Sequence, residues 1–215
     1  MEIFNPRYRY GESWFLEFDG DIFDWFNMRL HGGNYSEIII SPAQFFLVHT
    51  ISGDNAQGAG IARTINSLYR FRDNLVADKA RNLGLIESGW RFDRSHGCFK
   101  NPCTTDTIRF IGKPGDVYYT LSNPHIVGLI TKERYYEKPS LDDMYTALIS
   151  LRETWVAMAV NHIDDGIHNK IELIMPHIGC GLDGLDWDDV SELIFETFLD
   201  FRDHVRIVAV DYPKK

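Results

Sequence analysis

The 215-residue chain has 44% hydrophobic and 13% aromatic residues and a formal charge of −9. Such a chain folds around a substantial core of one domain, which excludes a disordered tail, and its acidic balance excludes a broad basic face for nucleic acid. A compact anionic ligand stays open, because backbone N–H groups can hold phosphate without cationic side chains.

The N-terminal stretch "MEIFNPRYRYGESW" carries charge and proline but no apolar signal core, and no apolar run reaches the roughly 20 residues of a membrane span. Cys98, Cys103 and Cys180 are too few for a disulfide framework, so a reducing, cytoplasmic compartment is expected. "WFLEFDGDI" (14–22) predicts a strand ending at Gly20-Asp21, and "QFFLVHTI" (44–51) a strand buried on both faces. "SGDNAQGAGIARTINSLYRF" (52–71) begins as a polar glycine loop and continues as a helix with Ile61, Ile65 and Leu68 on one face. "DNLVADKARNLGL" continues helical, with Gly84 as its stop. Residues 86–114 read as an irregular insertion in which only "TIRFI" has strand character. "DVYYTLS" and "HIVGLIT" are neighbouring strands. "PSLDDMYTALISLRETWVAMAVNH" is a long helix with a Ser140/Asp143 capping box and an apolar face of Leu141, Tyr145, Leu148, Leu151 and Trp155. "KIELIMP" is a strand, "DWDDVSELIFETFLDF" a helix with acid in its first turn, and "VRIVAVDY" the last buried strand.

Strands alternating with helices predict an α/β protein: a three-layer α/β/α sandwich around a central mixed, largely parallel sheet, spanning 1–215 as one domain. In an open sheet of this kind, ligands sit beyond the carboxyl ends of the strands. Two glycine-bearing loops take that place, "GDNAQGAGIA" after "FFLVHTIS" and "IGCGLDG" after "IELIMP". Each leads from a buried strand into a helix start, and facing one another they could grip a diphosphate. Neither is a standard nucleotide motif, and taken singly each is equally well a tight strand-to-helix turn.

Together, "VHTISGDNAQGAGIA", "LITKERYYEKPSLDDMYTAL" and "MPHIGCGLDGLDWDDVSELI" resemble the macrodomain family. The branch they resemble holds the terminal ADP-ribose protein glycohydrolases and the antitoxins that reverse DNA ADP-ribosylation, and borders the ADP-ribose-1″-phosphate phosphatases. The resemblance implies that Asp21 accepts from the adenine amino group, with the Ile22 backbone beside it. It places Ser52, Gly58, Ala59, Gly60 and Ile61 along pyrophosphate and distal ribose, Gly179, Cys180, Gly181 and Leu182 in the facing phosphate loop, and Tyr212 over the adenine. It implies that Lys132 attacks the anomeric carbon of the distal ribose and that Asp183 is the acid/base. By residue type alone, Lys132 reads as a solvated lysine and Asp183 as a turn or cap residue. A nucleophilic lysine needs a lowered pKa, which partial burial can supply. Where the commonest macrodomains carry an asparagine pair and a triple glycine, this chain has Asp54-Asn55 and "GAG".

The resemblance thus implies a hydrolase that removes ADP-ribose from acidic protein side chains or a nucleobase. Its alternatives are a phosphatase for ADP-ribose-1″-phosphate and a non-catalytic reader of ADP-ribose. The implied partners are ADP-ribose and ADP-ribosylated protein or nucleic acid, with no membrane and no cofactor. No metal is expected: His96, Cys98 and Cys103 form an incomplete set, and "NHIDDGIHNK" (161–170) reads as a solvated turn. Cys180 reads as a small residue valued for its N–H rather than as a nucleophile.

Overall fold

Apolar strands of this length can be buried on both faces only at the centre of a sheet covered by helices on each side. The computed structural model, which describes residues 7–30, 45–85, 88–93, 98–109, 112–120, 125–156 and 171–211, builds that arrangement. The strands of the main sheet are β1 (Arg7–Tyr8), β2 (Phe15–Asp19), β3 (Phe45–Ser52), β7 (Val117–Tyr119), β8 (Ile126–Lys132), β9 (Ile171–Pro176) and β10 (Val205–Asp211). Among the described residues their order is β1-β2-β10-β9-β3-β8-β7. β2, β10, β9, β3 and β8 run parallel, and β1 and β7 add antiparallel edges. The carboxyl ends of the five parallel strands therefore share one rim.

Helices α1 (Ile22–Leu30), α2 (Gly60–Tyr69) and α3 (Phe71–Asn82) cover one face, with Phe26, Ile65, Phe71 and Leu75 packed on Leu47, Ile51 and Ile130. Helices α4 (Leu141–Leu151) and α5 (Trp187–Phe198) cover the other, with Leu148, Val190, Ile194 and Phe198 packed on Val48, Met175 and Ala209. The capping box forms as expected: Ser140 Oγ accepts from the Asp143 N–H at 3.1 Å and Asp143 Oδ2 accepts from the Ser140 N–H at 3.0 Å. α3 ends at Gly84, whose φ of +65° lets Leu85 N–H return to the Ala80 carbonyl.

Three expectations are corrected. Leu68 is 54% exposed, so α2 is anchored by buried Ile65 with Ile61 and Ala62 packed partly against the core. On α4 the buried face is Met144, Ala147, Leu148 and Leu151, while Tyr145 turns to solvent; at 100° per residue it falls at the edge of that stripe. The side chain of Trp155 lies outside the described residues. Finally, the described part of 86–114 is more regular than expected. β4 (Arg91–Asp93), β5 (Cys98–Lys100) and β6 (Thr107–Arg109) form an antiparallel sheet, and Phe99 from it, against Phe92, joins the core cluster that holds Phe71. Strands of three residues are too short to show a period in sequence.

His49, in the middle of β3, is fully buried edge-on to Phe71, and neither ring nitrogen has a well-aligned partner among the described residues. Burial pushes its pKa from 6.5 down to about 3, offset only in part by the Thr50 backbone. Below about pH 6.5 the unfolded chain takes up a proton here that the folded chain refuses. Stability should therefore fall through this window, by about 1.4 kcal/mol per pH unit at the steepest. A His49→Leu variant should lose this contribution, flattening the urea-denaturation stability profile between pH 6.5 and 4.5. Equal slopes in the two proteins would contradict the assignment.

Candidate functional site

β3 and β9 are parallel neighbours whose chains leave toward opposite faces: β3 leads to α2 and α3, β9 to α5. Between such strands the departing loops open a crevice at the carboxyl rim. The loops meet across it, since a Cβ built on Gly60 would stand 3.4 Å from Leu182 Cδ1.

The first loop starts at Ser52, where a bulge in the β3–β8 pairing sets Ser52 opposite Lys132. The bulge shifts the register at the strand end, as such irregularities beside sites do. Gly53 donates to the Lys132 carbonyl (2.8 Å) and accepts from the Gly112 N–H (2.9 Å). A Cβ at Gly53 would lie 2.0 Å from Gly112 O, so no other residue fits this crossing. Asn55 and Gln57 are buried with φ of 54° and 43°, a left-handed conformation that side chains other than glycine adopt at a cost. Arg72 of α3 holds the turn between them by donating to the Ala56 carbonyl at 3.1 Å. Gly58, Ala59 and Gly60 are exposed on the crevice side of the α2 start and Ile61 is half-buried. α2 has no side-chain cap and no acid in its first turn, whereas Asp186 caps α5 and Ser140 caps α4, both helices with acidic first turns. The first amides of α2 are thus left for an anion.

The second loop leaves β9 at Pro176. Gly179, at φ +75°, accepts from the Leu185 N–H at 2.9 Å, and a Cβ there would reach Met144 Cε at 2.7 Å. Cys180 is half-buried, its thiol turned to the Ile178 carbonyl at 3.2 Å, while Gly181 and Leu182 are exposed. Asp183 accepts a hydrogen bond from Lys132 Nζ in an ion pair, and each of these side chains is only 13% exposed. The two residues lie 51 apart in sequence.

At the opposite flank Asp21 Oδ1 accepts from the Phe23 N–H at 2.8 Å, capping α1, and the Ile22 side chain is in the core. Burial and the charge of Asp21 push the Tyr69 hydroxyl up. Tyr212, His96 and residues 161–170 lie outside the described residues, among which no three His, Cys, Asp or Glu side chains are grouped as a metal site.

Sequence reasoning missed the polar knot below the second loop. His177 stacks on Trp187 (3.9 Å between ring centroids) and lies 3.2 Å from Glu17 Oε1, which also accepts from Trp187 Nε1 at 2.5 Å. Arg9 reaches Glu17 Oε2 at 3.3 Å and donates to Ser191 Oγ at 2.7 Å. The His177 imidazole, the Trp187 indole and the Arg9 guanidinium hold Glu17 down at about 2, against a burial that pushes it up. These partners are scattered from residue 9 to residue 191, so no local pattern announces them.

No family model matches the chain. The human ADP-ribose glycohydrolase OARD1 is 38% identical over 164 residues, covering 75% of this chain and 80% of the relative. Among solved structures, the macrodomain of Mycobacterium tuberculosis DarG is 22% identical with a TM-score of 0.51, over 79% of this chain and 89% of that one. Thermosipho africanus DarTG in complex with ADP-ribose is 15% identical with a TM-score of 0.52, over 94% of this chain and 43% of that one. These structural likenesses establish the fold.

Removing the Arg72 clamp should release the strained turn. Arg72→Ala should cost about 1–2 kcal/mol in urea denaturation and speed amide hydrogen exchange within 54–60 more than in β9 or β10. Unchanged exchange in that loop would show that Arg72 does not hold it.

Proposed function

The chain belongs to the macrodomain family, and from that premise we propose that it is a hydrolase releasing ADP-ribose from a conjugate, with Lys132 as nucleophile and Asp183 as acid/base. The observation that carries the reading is the shielded Lys132–Asp183 pair at the mouth of a crevice flanked by two glycine loops. A relative 38% identical that is named an ADP-ribose glycohydrolase supports it.

In this reading adenine lies at the Asp21 flank. The pyrophosphate lies between the uncapped start of α2, at Gly58, Ala59, Gly60 and Ile61, and the loop of Gly179, Cys180, Gly181 and Leu182. The distal ribose then reaches Ser52 and Lys132. The ammonium proton passes to Asp183, freeing the amine. A bond forms from Nζ to C1″ as the bond from C1″ to the conjugated group breaks, and that group departs with the proton. Water then adds to C1″, its proton goes to Asp183, the C1″–Nζ bond breaks, and Asp183 returns the proton to the amine. The net reaction consumes one water and yields ADP-ribose and the free acceptor. No cofactor enters this sequence. The three free thiols fit a reducing, cytoplasmic setting, and no helix among the described residues is long and apolar enough to cross a membrane.

Lys132→Ala should lower kcat for ADP-ribose release by about 10³-fold or more, and Asp183→Ala by roughly 10²–10⁴-fold. Lys132→Arg keeps the ion pair and serves as the folding control; it should be equally inactive while binding free ADP-ribose within a few-fold of wild type by calorimetry. Activity in both alanine variants would remove the mechanism. Phosphate release from ADP-ribose-1″-phosphate alone would mark a phosphatase, and tight binding with no turnover of any conjugate a reader.

A further inference from the structure

Asp54 is fixed where the first loop crosses the end of β8. Its N–H donates to the Glu133 carbonyl at 3.0 Å, one residue beyond the bond from Gly53 to Lys132. Its Oδ2 accepts from the Tyr135 N–H at 3.2 Å and its Oδ1 from the Ala56 N–H at 3.4 Å. Backbone on both sides of the crossing thus holds the carboxylate in place. One side chain joins them: Ser52 Oγ donates to Asp54 Oδ1 at 2.5 Å. Ser52 is buried at the end of β3, in register with Lys132.

A serine hydroxyl has one proton and two lone pairs, and a carboxylate accepts only. The Ser52 proton is therefore committed to Asp54, and lone pairs are what Ser52 Oγ has left for anything beside Lys132. An oxygen so set can accept from a sugar hydroxyl. It has nothing to give a phosphoryl oxygen, which is itself an acceptor and is costly to desolvate without a donor.

We propose that Asp54 is a positioning residue that makes Ser52 an acceptor, and that Ser52 thereby selects for a distal ribose with a free hydroxyl and against one that carries phosphate on C1″. This rests on the reading that the distal ribose lies at Ser52 and Lys132. The two glycine loops would hold the diphosphate of either compound alike, so discrimination has to come from the far end of the crevice. There the Lys132 ammonium is already paired with Asp183. A hydroxyl locked in the wrong polarity is a way to reject the phosphate ester.

Calorimetry with free ADP-ribose and with ADP-ribose-1″-phosphate tests this, because the two differ only at C1″. Wild-type protein should bind ADP-ribose about 10-fold more tightly or better. Asp54→Ala frees the Ser52 proton for a phosphate oxygen and should narrow the ratio to within about threefold. Asp54→Asn, whose amide oxygen can still accept from Ser52, should keep it. In a Ser52→Ala background, Asp54→Ala should move the ratio by less than about twofold. Both affinities are measured on one preparation, so a loss of folded protein cancels in the ratio. Equal affinities in the wild type would overturn the proposal. So would the same narrowing in Asp54→Asn or in the Ser52→Ala background, which would assign the effect to the charge of Asp54. The comparison needs no turnover: binding of ADP-ribose without its release from any conjugate would remove the hydrolase reading, while the two affinities would still decide the role of Asp54.

Discussion

The site depends on one charged contact, the bond between Lys132 at the end of β8 and Asp183 in the loop after β9. β8 does not pair with β9; β3 lies between them. The pair therefore spans the crevice mouth and ties its two walls together above the sheet. Each partner is largely withdrawn from water, so deleting one leaves the other shielded and uncompensated, which is costly. A fold that wanted only stability could fill this place with apolar side chains at little loss. An amine and a carboxylate placed here fit the chemical roles proposed for them.

The surrounding backbone serves that contact. Gly53 brings the first loop against Gly112, Arg72 clamps its left-handed turn, and Gly179 packs the second loop onto Met144 and Leu185. Helix ends are treated unequally. Those of α4 and α5 are closed by side chains, while that of α2 is left open where it faces the crevice. The Glu17 knot braces the base of the second loop against the first strands, joining residues from both ends of the chain.

Much of this was legible in the sequence because it is local. The Ser140/Asp143 box, the strand ending at Gly20-Asp21, the helix stop at Gly84 and the two glycine loops are all written in neighbouring residues. What escaped is either too short or too distant. The strands β4 to β6 have no room for a period, and Tyr145 and Leu68 sit at stripe edges where one turn decides burial. The bulge that sets Ser52 against Lys132 depends on pairing, and the partners of Glu17 come together only in the folded chain. Lys132 and Asp183 were singled out by likeness to a motif, since a lone lysine and a turn aspartate carry no signal of their own, and the folded chain brings their side chains into contact.

The most direct measurement is a covalent trap. Wild-type protein given an ADP-ribose conjugate and a hydride reductant, which reduces the imine formed when the C1″–O4″ bond of the Nζ–C1″ adduct opens, should accumulate a reduced ADP-ribosyl adduct that peptide mass spectrometry places on Lys132. Release of ADP-ribose with the adduct absent or on another lysine would contradict the account.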